Sequence, residues 1–337
     1  MDSLTQIALG STVAALAVPA THRRAALLAG ALLGTLPDLD TLPLMLIDNP
    51  VTRMTWHRAP THSLLVLPFV GWLIWAMLRW RWLPVKQAPQ RWMWAIQLAL
   101  LTHPLLDSFT AYGTQLLWPL PVGPMSLSSM FIVDPGYTVP LLLGVLHTAW
   151  VGARRAGAPC LLVGLLLSSG YLGWSLLAKV MVERDAVAAL SITGQQHAPR
   201  FSIPMPLTTL VWRVVVMTPD GYLVGERSLL TDREPMQFRA HASDTEALAA
   251  VRNLPAVERL TGFNGGYMRA RVDDDRRLVL SDLRMGDEPG YLFNFVVAER
   301  TGDQWGEVSP PQQLPSDMDL RTTLSELWTR VWDKSVR

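Results

Sequence analysis

Cysteine and charge are what this chain has least of. One cysteine, Cys160, stands in 337 residues, inside an apolar run. That excludes an intrachain disulfide and a thiolate metal cluster, so a metal site must be built from nitrogen and oxygen ligands. Charged residues are 17 % of the chain, against about a quarter in soluble domains. The shortage is confined to the first 181 residues. Net charge is +1, so no global field attracts nucleic acid and no such partner is expected. The start, Met1-Asp2-Ser3-Leu4-Thr5-Gln6, lacks the basic region of a cleaved signal peptide. Targeting is therefore expected to rest on retained membrane helices. The chain has no internal repeat and no low-complexity tract.

What is abundant is apolar sequence. Half the chain is hydrophobic, with apolar stretches near 4–20, 25–47, 62–78, 92–107, 137–152 and 158–181. Several are shorter than the ~20 residues that span a bilayer comfortably, and the second is broken by Pro37-Asp38-Leu39-Asp40. These features predict five or six membrane helices, some oblique or only partly inserted. Arg23 and Arg24, then Arg79, Arg81, Lys86 and Arg91, then Arg154 and Arg155 occupy alternate loops. Those loops are expected to be cytoplasmic. The opposite loops, 48–61 and 108–136, carry only Arg53 and Arg58.

After Lys179 the texture changes. Val211–Val216 and Tyr222–Val224 flank Pro219-Asp220-Gly221, a hairpin signature. Further strands are predicted at 267–273, 277–284 and 291–299, and helices at 243–252 and 316–333. Ser243 and Glu246 have capping-box spacing. The fold class expected is an α-helical integral membrane bundle over residues 1–182 followed by a small α+β soluble domain over 183–337. Six spans and an outside N-terminus put that domain outside the cytoplasm.

Six ionisable residues lie in or beside the apolar segments: Asp38, Asp40, His57, His62, His103 and Asp107. Buried imidazoles and carboxylates in a membrane are costly unless paired, hydrated or bound to metal. All six fall at the outer ends of their segments, although the orientation was read from Lys and Arg alone. His103 and Asp107, four apart, share a helix face and suit one ion; the alternative is a bracing His–Asp hydrogen bond. Asp38 and Asp40 repel unless neutralised, or else form a turn. Alone, His57 and His62 each read as interface histidines. Arg58 can grip an anion such as phosphate or snorkel to headgroups. Thr61 and Ser63 can cap the third helix. Asp134 is either a further ligand or general base, or the N-cap of the fifth segment. Asp2 and Gln6 either close the site or start a helix. His22, His147, His197 and His241 are expected to be structural or surface residues.

The set Asp2-Ser3-Leu4-Thr5, Pro37-Asp38-Leu39-Asp40, His57-Arg58-x-x-Thr61-His62-Ser63 and His103-x-x-x-Asp107 resembles the YdjM-type membrane-bound metal-dependent hydrolases of bacteria. Thr110-x-Tyr112-Gly113-Thr114-Gln115, Phe131-Ile132-x-Asp134-Pro135 and Asp282-Leu283-Arg284-Met285-Gly286 are similar to a longer branch of that family. The resemblance implies a bacterial inner-membrane protein with distant kinship to zinc-dependent phospholipase C. It implies metal ligands at Asp38, His62, His103 and Asp107, with His57 and Asp40 behind them. Many relatives carry histidine where this chain has Gln6, a departure that implies one ion fewer or a weaker site.

Together these readings predict a multi-pass, membrane-embedded hydrolase. It would use a divalent metal, zinc by resemblance, at Asp38, His57, His62, His103 and Asp107. Arg58 would hold the anion, and Asp107, Asp40 or Asp134 would take a proton. The expected partners are membrane lipids, with a lipid-linked or other phosphoester as substrate. The rival reading is a metal-stabilised anchor presenting residues 183–337 to an envelope partner. A transporter fits less well, because all the ionisable residues sit on one side.

Overall fold

The structure, a computed structural model, describes residues 1–154, 157–288 and 290–316, with Thr329 and Trp332. The helix expected over 316–333 lies almost wholly outside the described residues. The chain is helical first and sheet-rich afterwards. The helices are α1 (Ser3–Ala17), α2 (Arg23–Thr35), α3 (Thr41–Leu44), α4 (Pro50–Trp56), α5 (Leu67–Arg81), α6 (Leu83–Gln87), α7 (Pro89–Asp107), α8 (Pro135–Val151) and α9 (Gly157–Ser191). Then come β1 (Arg200–Pro204), β2 (Val211–Thr218), β3 (Gly221–Ser228), β4 (Phe238–Ala242), α10 (Thr245–Ala250), α11 (Pro255–Asn264), β5 (Met268–Val272), β6 (Arg277–Asp282), β7 (Gly286–Asp287), β8 (Gly290–Tyr291), β9 (Asn294–Thr301) and β10 (Gln304–Leu314).

Among the described residues two helical stretches are long and apolar enough to cross a membrane, Ala20–Leu44 and Gly157–Ser191, with a third if Pro50–His62 and Leu67–Arg81 count as one bent span. This is fewer than the five or six predicted, for a geometric reason. At about 1.5 Å per residue, a helix as long as α1 measures roughly 22 Å, short of a ~30 Å hydrocarbon core.

The chain divides into two compact units. The first comprises Met1–Pro43, His57–Leu127 and Ile132–Ser175; the second comprises Leu44–Trp56, Ser128–Phe131 and Leu176–Arg337. The boundary expected at 182/183 falls inside α9, and two short stretches from the helical half belong to the second unit.

In the first unit α1 lies against α2, backbone to backbone. A Cβ on Gly30 would stand 2.2 Å from the Gly10 carbonyl oxygen, and one on Gly34 2.5 Å from that of Gln6. Only glycine permits this approach, the small-residue packing common in membrane helices. Asp2 caps α1 by accepting from the Thr5 N–H at 3.1 Å. At the far end of α1 the cationic loops meet. Arg24 donates to the carbonyls of Ala149 and Trp150 at 3.0 and 2.8 Å, and Arg23 to that of Arg154 at 3.2 Å. His22 accepts from Trp92 Nε1 at 3.2 Å and donates to Gln87 Oε1 at 3.0 Å.

In the second unit, β1-β2-β3-β4 form one antiparallel sheet and β10-β9-β6-β5 another. The hairpin read around Pro219-Asp220-Gly221 is β2–β3, with Val215 opposite Val224. Trp212, Val214 and Val216, at the two-residue period of a strand, pack with Ala178, Val182 and Ala186, at the four-residue period of α9. α4 packs on α11 within this unit. The predicted strands at 267–273, 277–284 and 291–299 appear as β5, β6 and β9. The capping box does not form: Asp244 is the N-cap of α10, and Ser243 instead exchanges hydrogen bonds with the Ala270 backbone.

Candidate metal centre

Four side chains converge in the first unit. Asp38 lies on the one-turn 3-10 helix Leu36–Asp40 that breaks the second segment, His62 on another, Pro60–His62, and His103 and Asp107 on the last turn of α7. One ligand atom from each lies within 4.8 Å of the others. The Nε2 atoms of His62 and His103 are 3.0 Å apart. Asp38 Oδ1 is 3.3 Å from the first and 3.4 Å from the second. Asp107 Oδ2 is 3.4 and 3.6 Å from them. A tetrahedral ion with ligand bonds of about 2.0–2.1 Å has ligand–ligand edges of roughly 3.3–3.4 Å. The five edges that involve an imidazole, 3.0–3.6 Å, bracket that value, and all four atoms lie within 4.8 Å of one another.

The tautomers decide what these atoms can do. His103 donates from Nδ1 to the Gly34 carbonyl at 2.6 Å. Thr61 donates its hydroxyl to Asp40 Oδ2 at 2.9 Å, so its oxygen accepts from His62 Nδ1, 3.0 Å away. With each Nδ1 carrying the ring proton, both Nε2 atoms present lone pairs to the centre. Asp38 Oδ1 and Asp107 Oδ2 are buried and neither meets a well-aligned hydrogen-bond donor among the described residues, although Arg58 Nε lies 3.0 Å from Asp107 Oδ2 as its ion-pair partner. Four acceptors facing one another without a shared donor repel, and a cation at their centre removes the repulsion. The residues therefore fit a divalent ion. The side chains of His62, His103 and Asp107 are wholly buried; that of Asp38 is 20 % exposed, with its Oδ1 atom buried.

Around the four stands a supporting layer. Asp107 Oδ1 accepts from Gln6 Nε2 at 2.9 Å and pairs with the α-amino group of Met1. Arg58 holds a left-handed backbone, φ 65°. Its N–H donates to Asp40 Oδ2 at 3.1 Å, and its carbonyl accepts from the Gln115 N–H at 3.0 Å. Its guanidinium is buried, with Nε 3.0 Å from Asp107 Oδ2, Nη1 3.2 Å from Thr110 Oγ1, and Cζ 5.0 Å from the Tyr112 ring centroid.

Several expectations change. His57 joins Asp40 rather than the four: its Nδ1 donates to Asp40 Oδ1 at 2.8 Å. Asp40 receives donors from His57, Arg58 and Thr61 and so orients its neighbours. Asp134 stands apart as the N-cap of α8, accepting from the Gly136 N–H and the Tyr171 hydroxyl, both at 3.0 Å. Neither Thr61 nor Ser63 caps α5, whose N-cap is Val66. Ser63 instead donates to the Trp118 carbonyl at 2.6 Å. Asp2 and Gln6 divide the two roles open to them: Asp2 starts the helix, and Gln6 touches the centre. Gly34 escaped the sequence reading, although Gly30-x-x-x-Gly34 is a signal for close helix packing.

Residues 1–182 match the family described as YdjM inner membrane protein. The chain is similar to the uncharacterised protein YfhP of Bacillus subtilis (strain 168), with 24 % identity over 309 residues, 88 % of this chain and 90 % of that one. No solved structure matches.

Proposed function

Because the chain belongs to the YdjM inner membrane protein family, we propose that it is a multi-pass membrane hydrolase of phosphoesters, lipid-linked ones in particular. Its centre would be Asp38, His62, His103 and Asp107, loaded with zinc. The observation that carries this reading is the convergence of four ligand atoms, two of them carboxylate oxygens that no well-aligned hydrogen bond satisfies. Two imidazoles and two carboxylates in tetrahedral spacing suit zinc. When bound, the ion would polarise the scissile bond and acidify a nearby water.

The chain's own groups supply the rest. His57, with Nδ1 tied to Asp40, offers Nε2 as a proton acceptor, and its ring lies 5.9 Å from that of His62. Arg58, buried with its Nε 3.0 Å from Asp107 Oδ2, is the guanidinium beside the centre. Its charge favours an anionic ester. Orientation is supported by the cationic loops, which meet at the far end of α1 from the centre. With those loops cytoplasmic, the centre faces outward and the second unit is extracytoplasmic.

The test is hydrolysis by zinc-loaded protein in nanodiscs, with phospholipids and a generic phosphodiester as substrates. His62→Ala is expected to lose metal and activity together. Arg58→Lys, which keeps the charge and loses the planar fork, is expected to keep metal and lose activity. A loaded wild type that cleaves no ester would replace the hydrolase with the metal-stabilised anchor.

A further inference from the structure

Residues 108–133 contain no Asp, Glu, Lys, Arg or His. Within them Leu117-Trp118-Pro119-Leu120-Pro121-Val122-Gly123-Pro124 has no polar side chain able to meet water except the Trp118 indole. Ordinary loops run over the surface and are polar. This one leaves Leu120, Val122 and Met125 about half exposed, at 52, 56 and 48 %.

Its backbone is suited to an apolar solvent. Three prolines remove three N–H donors. Trp118, Leu120 and Val122 donate within the loop, to the carbonyls of Gln115 at 3.2 Å, Leu117 at 2.9 Å and Leu120 at 2.7 Å. A non-helical segment tolerates lipid only where its polar groups are satisfied locally.

The loop is also fastened to the metal centre. The Leu116 carbonyl accepts from the Leu64 N–H at 2.8 Å, the Trp118 carbonyl from Ser63, and the Gln115 N–H donates to Arg58. At its base Thr114 and Met125 exchange two backbone hydrogen bonds of 2.9 Å.

We infer that the Leu117–Pro124 loop is immersed in the acyl region of the bilayer and forms the path by which a lipid reaches the centre beside His62. The occupant of this apolar face is the bilayer itself, to which the chain's membrane-crossing helices already tether it. Immersion stands on the loop alone, and the lipid path rests on the hydrolase reading.

The experiment uses full-length protein in phosphatidylethanolamine–phosphatidylglycerol vesicles. An environment-sensitive fluorophore is placed at Val122→Cys or Asp303→Cys, each with Cys160→Ala. Asp303 is wholly exposed in the second unit. Acyl-chain nitroxide lipid is expected to quench position 122 and spare 303, and aqueous iodide to do the reverse. Iodide quenching 122 as readily as 303 would overturn immersion. Shielding of 122 that disappears at one copy per vesicle would assign the loop to a second copy of the chain. In the activity arm, Val122→Asp with unchanged metal content is expected to lower hydrolysis of vesicle phosphatidylglycerol by about tenfold and to spare bis(p-nitrophenyl) phosphate, a soluble diester. Equal losses on both substrates would overturn the lipid path. A wild type that cleaves neither would sink the hydrolase reading and the path with it, while the quenching result still decides immersion.

Discussion

Each unit of this protein buries a polar cluster, and the two are opposite in kind. In the second unit two ion pairs match donors to acceptors, the buried Asp282–Arg284 and the partly exposed Glu288–Arg269. Asp282 takes both oxygens to Arg284, with Nη2–Oδ2 at 2.8 Å and Nε–Oδ1 at 3.0 Å. Glu288 takes both of its oxygens to Arg269 Nη1 at 2.8 and 2.9 Å and also accepts from the Tyr222 hydroxyl. Burial and the neighbouring Glu288 push the Tyr222 hydroxyl far above its ordinary value, so it stays a donor. In the first unit four acceptors meet with no donor among them. Clustering of titratable groups alone therefore says little about a metal. The balance of donors and acceptors separates a self-satisfied brace from a cluster whose chemistry suits a cation.

The largest effect expected from breaking this contrast is at α7. Asp107→Ala and His103→Ala each delete a ligand, so elemental analysis of purified protein should find the metal lost. The wild type should lose thermal stability on chelation, because metal binding supports only the folded state. Full metal content in both variants would return His103 and Asp107 to the role of a bracing hydrogen bond.

Next in size is the matched cluster. Asp282→Ala leaves Arg284 buried without its partner, a change that costs about 3–5 kcal/mol. Denaturant unfolding of the second unit should register that loss while metal content stays at the wild-type value. A fall in metal content would show that the two clusters are not independent.

The sequence made one half of this contrast legible and hid the other. Asp38, His62, His103 and Asp107 were readable because ionisable residues stand out in apolar segments, and Lys and Arg placed them on one side. The division of labour behind them was not readable from spacing; only the family resemblance ranked His57 and Asp40 behind the four. His57 and His62 are five residues apart with similar local sequence, yet one faces Asp40 and the other the centre. What separates them is the 3-10 turn at Pro60 and the left-handed backbone of Arg58, both set by tertiary contacts. The second unit showed its strongest hairpin by a β-branched run ending at Pro219-Asp220-Gly221, and β2 is buried on both faces over Val211–Val216. β4 and α11 went unread because the first is short and largely exposed and the second is a short helix that opens on Pro255, soon after α10 ends at Ala250. The capture of 44–56 by the second unit left no local trace at all.

The smallest effect sharpens the claim about tautomers. Thr61 touches no metal ligand atom; it accepts from His62 Nδ1 and passes its own proton to Asp40. Thr61→Val keeps the shape and removes both hydrogen bonds. The His62 ring then loses the partner that directs its Nε2 lone pair inward, and affinity for zinc should fall about 10–100-fold, as expected for a lost outer partner of a ligand histidine. Thr61→Ser retains the hydroxyl and should bind as the wild type does. Competition with a chromogenic chelator measures all three proteins under one condition, and denaturant unfolding run alongside checks that the fold is intact. If Val and Ser bind zinc equally tightly, His62 is oriented by something other than Thr61. The arrangement running from Asp40 through Thr61 to His62 would then be a structural brace, closer in kind to the matched cluster of the second unit than to the centre it adjoins.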